Sequence, residues 1–129
     1  MPKSVFKKVI VLMETIKENK VFKMLYRKGK KEVTESLVLY FLPSKTKETV
    51  VGFTVSKKIG KAVVRNKIRR RLKELYRKYE TYLKEDMLLV FVARTACSEC
   101  TFLKLEESFS KLLQSAGIIE YENSTDSIS

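Results

Sequence analysis

One stretch of this chain tolerates few folds. Between Lys61 and Tyr79, apolar residues keep to a single helical stripe and positive charge takes nearly everything else. At 100° per residue, Val64, Leu72, Leu75 and Tyr79 fall within about 40° of Ile68, and Tyr76 lies at about 80°. A helix with one such stripe must lay it on a core. Arg65, Arg69, Lys73, Asn66, Arg77 and Arg70 follow around one flank, and Lys67, Arg71 and Lys78 lie on the other. A solvated helix normally sets Glu at i, i+4 against Lys or Arg. Here only Glu74 does so. Like charges stacked this closely cost stability, and a bound polyanion would relieve that cost.

The charge is concentrated, not general. The 129 residues hold 27 Lys and Arg against 15 Asp and Glu, a formal net charge of +12. Residues 52–79 carry 11 basic and 1 acidic side chains, while residues 80–115 carry 4 and 6. Such clustering marks a binding face for a polyanion. The chain has no His, which excludes a His-based triad, a His metal ligand and a His general base. The longest apolar runs, Val9–Met13 and Met87–Ala93, fall well short of the roughly 20 residues that span a bilayer. The N-terminal run is also too short for a secretory segment. The chain is therefore read as cytoplasmic, with no membrane partner.

One domain is expected, over residues 13–118. Residues 1–12 read as a disordered extension and residues 119–129, polar and acidic, as a disordered tail. Val21, Phe22, Leu25 and Tyr26 recur at helical spacing between Asn19, a plausible N-cap, and Gly29, a plausible stop, which predicts a helix over 18–28. Ser36–Leu42 and Val50–Ser56 read as strands, and the short linker between them suits an antiparallel pair. Met87–Ala93 reads as a strand covered on both faces or central in a sheet. Thr101 is placed to cap a last helix whose inner stripe is Leu105, Phe109, Leu112, Leu113 and Ala116, with Gly117 ending it. Phe53 and Phe91 read as core. Cys97 and Cys100 form a lone CxxC with no second pair and no His, so they read as a chance pair rather than a zinc site.

Ahead of the basic helix, Ser56, Lys57, Lys58 and Lys61 surround Gly60, which permits close backbone approach to a ligand. The run Val55–Arg70, with Ser56-Lys57-Lys58 and Arg65-Asn66-Lys67 within it, resembles the signature of the bacterial ribonuclease P protein component. Asn19–Gly29 is similar to that family's N-terminal helix, Leu37–Phe41 to its first long strand and Asp86–Arg94 to a later one. The resemblance covers about residues 15–118. One departure is Lys67, a point charge where the family has a second Arg fork. Residues 1–12 have no counterpart, and Met13 lies where many members begin.

The resemblance implies an α+β two-layer sandwich: a small mixed sheet with an N-terminal helix, a basic crossover helix in a left-handed βαβ unit, and a C-terminal helix. It implies a protein subunit that helps a catalytic RNA remove the 5′ leader of precursor tRNA. The implied partners are that RNA and the leader, with no stable homo-oligomer required. Mg²⁺ would be bound mainly by the RNA, and no protein side chain would be catalytic. That division agrees with the residues: Glu14, Glu18, Glu32 and Glu35 are the acids nearest to a cluster, and they read as solvating charges. Ser56, Lys57, Lys58, Lys61, Arg65, Asn66, Lys67, Arg69, Arg70 and Lys73 are assigned to RNA. Phe22, Tyr26 and Tyr40 are assigned to a leader-binding cleft, where bases stack on aromatic rings regardless of sequence. The competing readings are a ribosome- or tRNA-associated protein of similar fold, and a DNA-binding module, for which no helix-turn-helix pattern exists.

Overall fold

The apolar run Met87–Ala93 takes the centre of a five-stranded mixed sheet. In the computed structural model, which describes residues 9–13, 20–45 and 49–119, the strands are β1 (Val9–Met13), β2 (Lys30–Val33), β3 (Leu37–Pro43), β4 (Thr49–Thr54) and β5 (Met87–Ala93). The helices are α1 (Lys20–Lys28), α2 (Ala62–Tyr79) and α3 (Phe102–Ala116). The strand order is β1-β4-β5-β3-β2.

This order corrects one expectation. β3 and β4 do not pair with each other; β5 lies between them, antiparallel to β3 and parallel to β4. The physical reason is burial. Every residue of β5 but Val92 is buried, and a strand apolar on both faces gains most from the middle of a sheet. The chain reaches that position through α2, which carries it from the end of β4 to the start of β5, as a parallel pair requires.

A second correction concerns the N-terminus. Val9–Met13 is not part of a disordered extension: it pairs in parallel register with Thr49–Phe53. A run of five apolar residues is too short to signal this by itself, because its partner lies 40 positions along the chain. Residues 1–8, and Asn19 with its expected cap, lie outside the described residues. At the other end the ordered backbone passes residue 118, since Ile119 bridges Leu83 and the Lys84 amide donates to the Ile118 carbonyl at 2.8 Å. The tail from 120 onward lies outside the described residues.

The sheet, α2 and α3 make the expected α+β sandwich, and α1 covers part of the opposite face. Between the sheet and α2/α3 sits the larger core. Ile68, Leu72, Leu75 and Tyr76 of α2 are buried there, with Val64 and Tyr79 partly so. An aromatic stack ties the elements together, with centroid distances of 5.9 Å for Phe53–Phe91, 4.5 Å for Phe91–Phe109 and 6.0 Å for Tyr79–Phe109. α3 is held as the sequence predicts: the Thr101 hydroxyl accepts from the Lys104 amide at 3.1 Å, and Gly117 closes the helix at φ 70°. On the other face Phe22 and Leu25 of α1 pack on Val50, Leu88 and Val90.

Candidate nucleic-acid interface

Two surfaces meet at the C-terminal end of β4. The first is aromatic. Along α1, Phe22 and Tyr26 are one turn apart, with ring centroids 6.4 Å apart. Tyr40 stands on the α1 side of β3 and meets Tyr26 edge-on at 4.8 Å. The Tyr26 hydroxyl lies 3.3 Å from the Thr54 hydroxyl. So the three expected aromatics do come together, but not in equal roles. Tyr26 is 44% exposed, whereas Phe22 is 3% exposed. Phe22 is turned inward because β4 has Gly52 opposite it: a Cβ there would lie 2.4 Å from the ring. Placing Phe22 in the cleft is therefore corrected: it is the packed floor beneath Tyr26 and offers no free face for a base.

The second surface is basic. Leaving Thr54, the chain enters a 3₁₀ turn at Lys57–Ile59, with Ile59 anchored in the core. Ser56, Lys57, Lys58 and Lys61 are all exposed around it. Gly60 adopts φ 157°, ψ −165°, a corner of backbone space reserved in practice for glycine. Its carbonyl accepts from Arg65 Nε at 3.1 Å. Arg69 donates to Asn66 Oδ1 at 3.0 Å and to the Val55 carbonyl at 3.4 Å. Arg65 and Arg69 thus brace the turn against the helix as well as adding charge, and both are half-buried. Asn66, Lys67 and Arg70 are exposed. Most of the sequence-assigned basic residues are gathered here.

Two of them stand apart. Lys67 lies by helical spacing on the flank of Arg71 and Lys78, and that flank is engaged by α3. Arg71 donates to the Cys100 carbonyl at 3.3 Å and stacks over Phe102, while Lys78 pairs with Glu106. This contact raises the Lys78 ammonium pKa, chiefly through the hydrogen bond to Glu106. Lys73 is half-buried, two turns beyond Asn66, beside a separate small cavity. Cys97 is buried, and burial first, then the neighbouring Cys100, pushes its thiol up to about 12. A thiol held protonated is a poor nucleophile at neutral pH.

Two site residues escaped the sequence reading. Thr54 positions Tyr26; its signal was strand alternation from Gly52. Lys31 of β2 sits directly across from Tyr40, so both side chains project to the same face and an exposed cation borders the aromatic pair. That signal is non-local, since β2 (Lys30–Val33) has no apolar alternation of its own. Among the described residues, no three His, Cys, Asp or Glu side chains come together as a metal-binding group. No helix among them is long and apolar enough to cross a membrane.

Comparison with known proteins gives one answer throughout. The family model described as Ribonuclease P matches residues 13–117. The ribonuclease P protein component of Alkaliphilus metalliredigens is 36% identical over 104 residues, 81% of this chain and 94% of the relative. That of Clostridium botulinum, strain 657, is 39% identical over 80% of this chain and 94% of the relative. Among solved structures, the RNase P protein of Staphylococcus aureus superposes with a TM-score of 0.74 at 29% identity, covering 81% of this chain and 96% of that one. The RNase P protein of Thermotoga maritima gives 0.67 at 26% identity, covering 73% and 89%. With the sheet order, the braced basic turn and the signature run all on one frame, this chain belongs to the ribonuclease P protein family.

Proposed function

We propose that this chain binds the catalytic RNA of ribonuclease P through its basic turn and the N-terminal half of α2, and holds the single-stranded 5′ leader of precursor tRNA against Tyr26 and Tyr40. As a family member it is the protein component of this endoribonuclease. The observation that carries the reading is contiguity. Tyr26 is bonded to Thr54, and Thr54 leads within two residues into Ser56, Lys57 and Lys58. A strand lying across the tyrosines would run straight onto cations.

Each group then has a physical task. Lys57, Lys58, Lys61, Arg65 and Arg70 supply charge to phosphates at the turn, where the arginines can do so bidentately, and the exposed Lys67 supplies charge from the other flank of α2. Asn66, already oriented by Arg69, presents its amide to a phosphate, a 2′-hydroxyl or a metal-bound water. Ser56 offers a hydroxyl at the junction of the two surfaces. Tyr26 and Tyr40 stack bases of any identity, at about 1–3 kcal/mol per base. Lys31 neutralises a leader phosphate on the far side of the tyrosines.

Mg²⁺, bound mainly by the RNA in this reading, would supply the hydrolytic chemistry. The chain's own contribution is to concentrate and orient the substrate and to lower phosphate repulsion around the cleavage site. It acts in the cytoplasm, with no need for a homo-oligomer. The test is substrate discrimination: a holoenzyme carrying Tyr26→Ala should lose affinity for precursor tRNA and keep it for mature tRNA. Equal losses for both would sink the leader assignment.

A further inference from the structure

The two flanks of α2 differ in what neutralises them. On one, Lys78 pairs with Glu106 of α3, and Arg71 is held by the Cys100 carbonyl. On the other, Arg70, Lys73 and Arg77 lie within about 60° of one another by helical spacing. Arg70 and Arg77 are exposed and Lys73 is half-buried. Among the described residues none of the three has a hydrogen bond or an ion pair. The only acid of α2, Glu74, falls toward the flank of Lys67 and Lys78. The last described residues run against the end of this same helix. The Lys84 amide donates to the Ile118 carbonyl at 2.8 Å, and Ile119 bridges Leu83 in antiparallel sense. Leu83 follows the 3₁₀ turn Glu80–Tyr82, which continues α2. A segment antiparallel to Leu83 and Lys84 runs back toward that turn, so the chain leaving Ile119 is aimed at the C-terminal end of α2. The ten residues that follow hold Glu120, Glu122 and Asp126 and no basic side chain.

We propose that residues 120–129 lie along this ridge in the RNA-free protein, with Glu120, Glu122 and Asp126 set against Arg77, Lys73 and Arg70, and that RNA displaces them. The displacement rests on the reading that α2 faces RNA, and the proposal adds a competitor carried by the same chain. Length permits it. Ten residues reach about 33 Å when extended, whereas the rise from Arg77 to Arg70 is only about 10 Å. Charge selects this face over the alternative. The groove of about 310 Å³ between the end of β2 and α3 presents Lys104 and Lys111 but also Glu35 and Glu107, whereas the ridge gathers three cations. Tethering supplies the rest, since a linked segment acts at an effective concentration on the order of millimolar, and weak surface ion pairs then suffice. The competition takes the same factor from every polyanion that needs the ridge. Short random RNA contacts are lost, while the catalytic RNA, which also engages the basic turn, still binds.

The test compares the full chain with a variant ending at Ile119 and with the triple variant Glu120→Gln, Glu122→Gln, Asp126→Asn, which keeps the length. Both should bind an unstructured oligouridine about three- to tenfold more tightly at low salt, the worth of two or three exposed ion pairs, and the gain should fade as salt rises. Repeating the comparison in an Arg77→Ala background separates docking from a general change of net charge. The gain should shrink there, because groups in contact couple, and an undiminished gain would overturn the proposal. Carbodiimide coupling, which joins a carboxylate directly to an amine it touches, gives the position. Lys73 should join to one of the three acids, and the link should vanish when the catalytic RNA is added. Links confined to Lys104 and Lys111 would place the segment in the groove beside α3 and overturn the proposal. If Arg70→Ala weakens binding of the catalytic RNA but neither variant of residues 120–129 changes oligouridine binding, the proposal falls and the RNA-facing reading of α2 stands. If Arg70→Ala leaves binding of the catalytic RNA intact, the RNA-facing reading falls, and displacement by RNA falls with it.

Discussion

The two faces of the sheet are built to different ends. On one, α2 and α3 close over β3, β4 and β5, and the aromatic stack Phe53–Phe91–Phe109–Tyr79 fills the space between. On the other, short α1 covers Val50, Leu88 and Val90 and leaves Tyr40, Val38, Val92 and Thr54 only half-buried. The first face converts burial into stability. The second gives some of that up and keeps aromatic surface accessible. The basic turn joins them, because the same strand, β4, ends beside Tyr26 and feeds α2. A binding surface can therefore be adjusted on the α1 side without reopening the main core.

The comparison breaks most directly at the stack. Phe91→Ala should cost about 3–5 kcal/mol of stability, since its ring is wholly buried between two others and cannot be replaced by solvent. Denaturant unfolding measures it. A loss under 1 kcal/mol would mean that the closed face is not where stability resides.

Gly52→Ala probes the other face from beneath. The new Cβ would lie 2.4 and 2.6 Å from two Phe22 ring atoms. The ring must move, and α1 with it. Overpacking of this kind costs about 1–3 kcal/mol, and here it should also shift Tyr26, so precursor tRNA binding should suffer more than mature tRNA binding. If stability falls with no change in discrimination, α1 does not set the cleft.

These cases show what the sequence made legible. The faces of α2 were readable because helical periodicity is local: Ile68, Leu72 and Leu75 had to point one way whatever lay beneath. The caps of α3 were readable for the same reason, since Thr101 and Gly117 act within a turn of themselves. Strand order was not, because β1 and β2 gain their place from pairing with distant residues; Lys30-Lys31-Glu32-Val33 has no pattern to announce a strand. Nor could spacing tell which of Phe22 and Tyr26 faces solvent. A glycine 30 positions after Phe22 makes that choice. Arg65 and Arg69 read as phosphate ligands because charge is visible in sequence, while their bonds to the Gly60 and Val55 carbonyls are not.

That dual role of the arginines sharpens the comparison at its junction. Arg70→Ala removes an exposed charge. RNA affinity should fall and its salt dependence should flatten by about one unit of log–log slope, or somewhat less on single-stranded RNA, with the melting temperature nearly unchanged. Arg69→Ala should do the same and also lower the melting temperature, because Val55 and Asn66 lose their donor. Identical melting curves for the two variants would show that Arg69 does not brace the turn.

The smallest expected effect tests whether the open face works by stacking or by hydrogen bonding. Tyr26→Phe keeps the ring and removes the hydroxyl that meets Thr54 at 3.3 Å. That contact is long and exposed, so losing it should cost no more than about 0.5 kcal/mol of stability, at the low end of a net hydrogen bond. The ring still meets Tyr40, and its face still accepts a base. Precursor tRNA affinity should therefore stay within about twofold of wild type, against the 1–3 kcal/mol lost when Tyr26→Ala removes the stacking surface. The loss in Tyr26→Ala should also respond little to salt, since stacking releases no counterions, whereas the loss in Arg70→Ala should shrink as salt rises. If Tyr26→Phe lost as much as Tyr26→Ala, the hydroxyl and its bond to Thr54 would be the operative contact, and the cleft would read its ligand by polarity rather than by the ring.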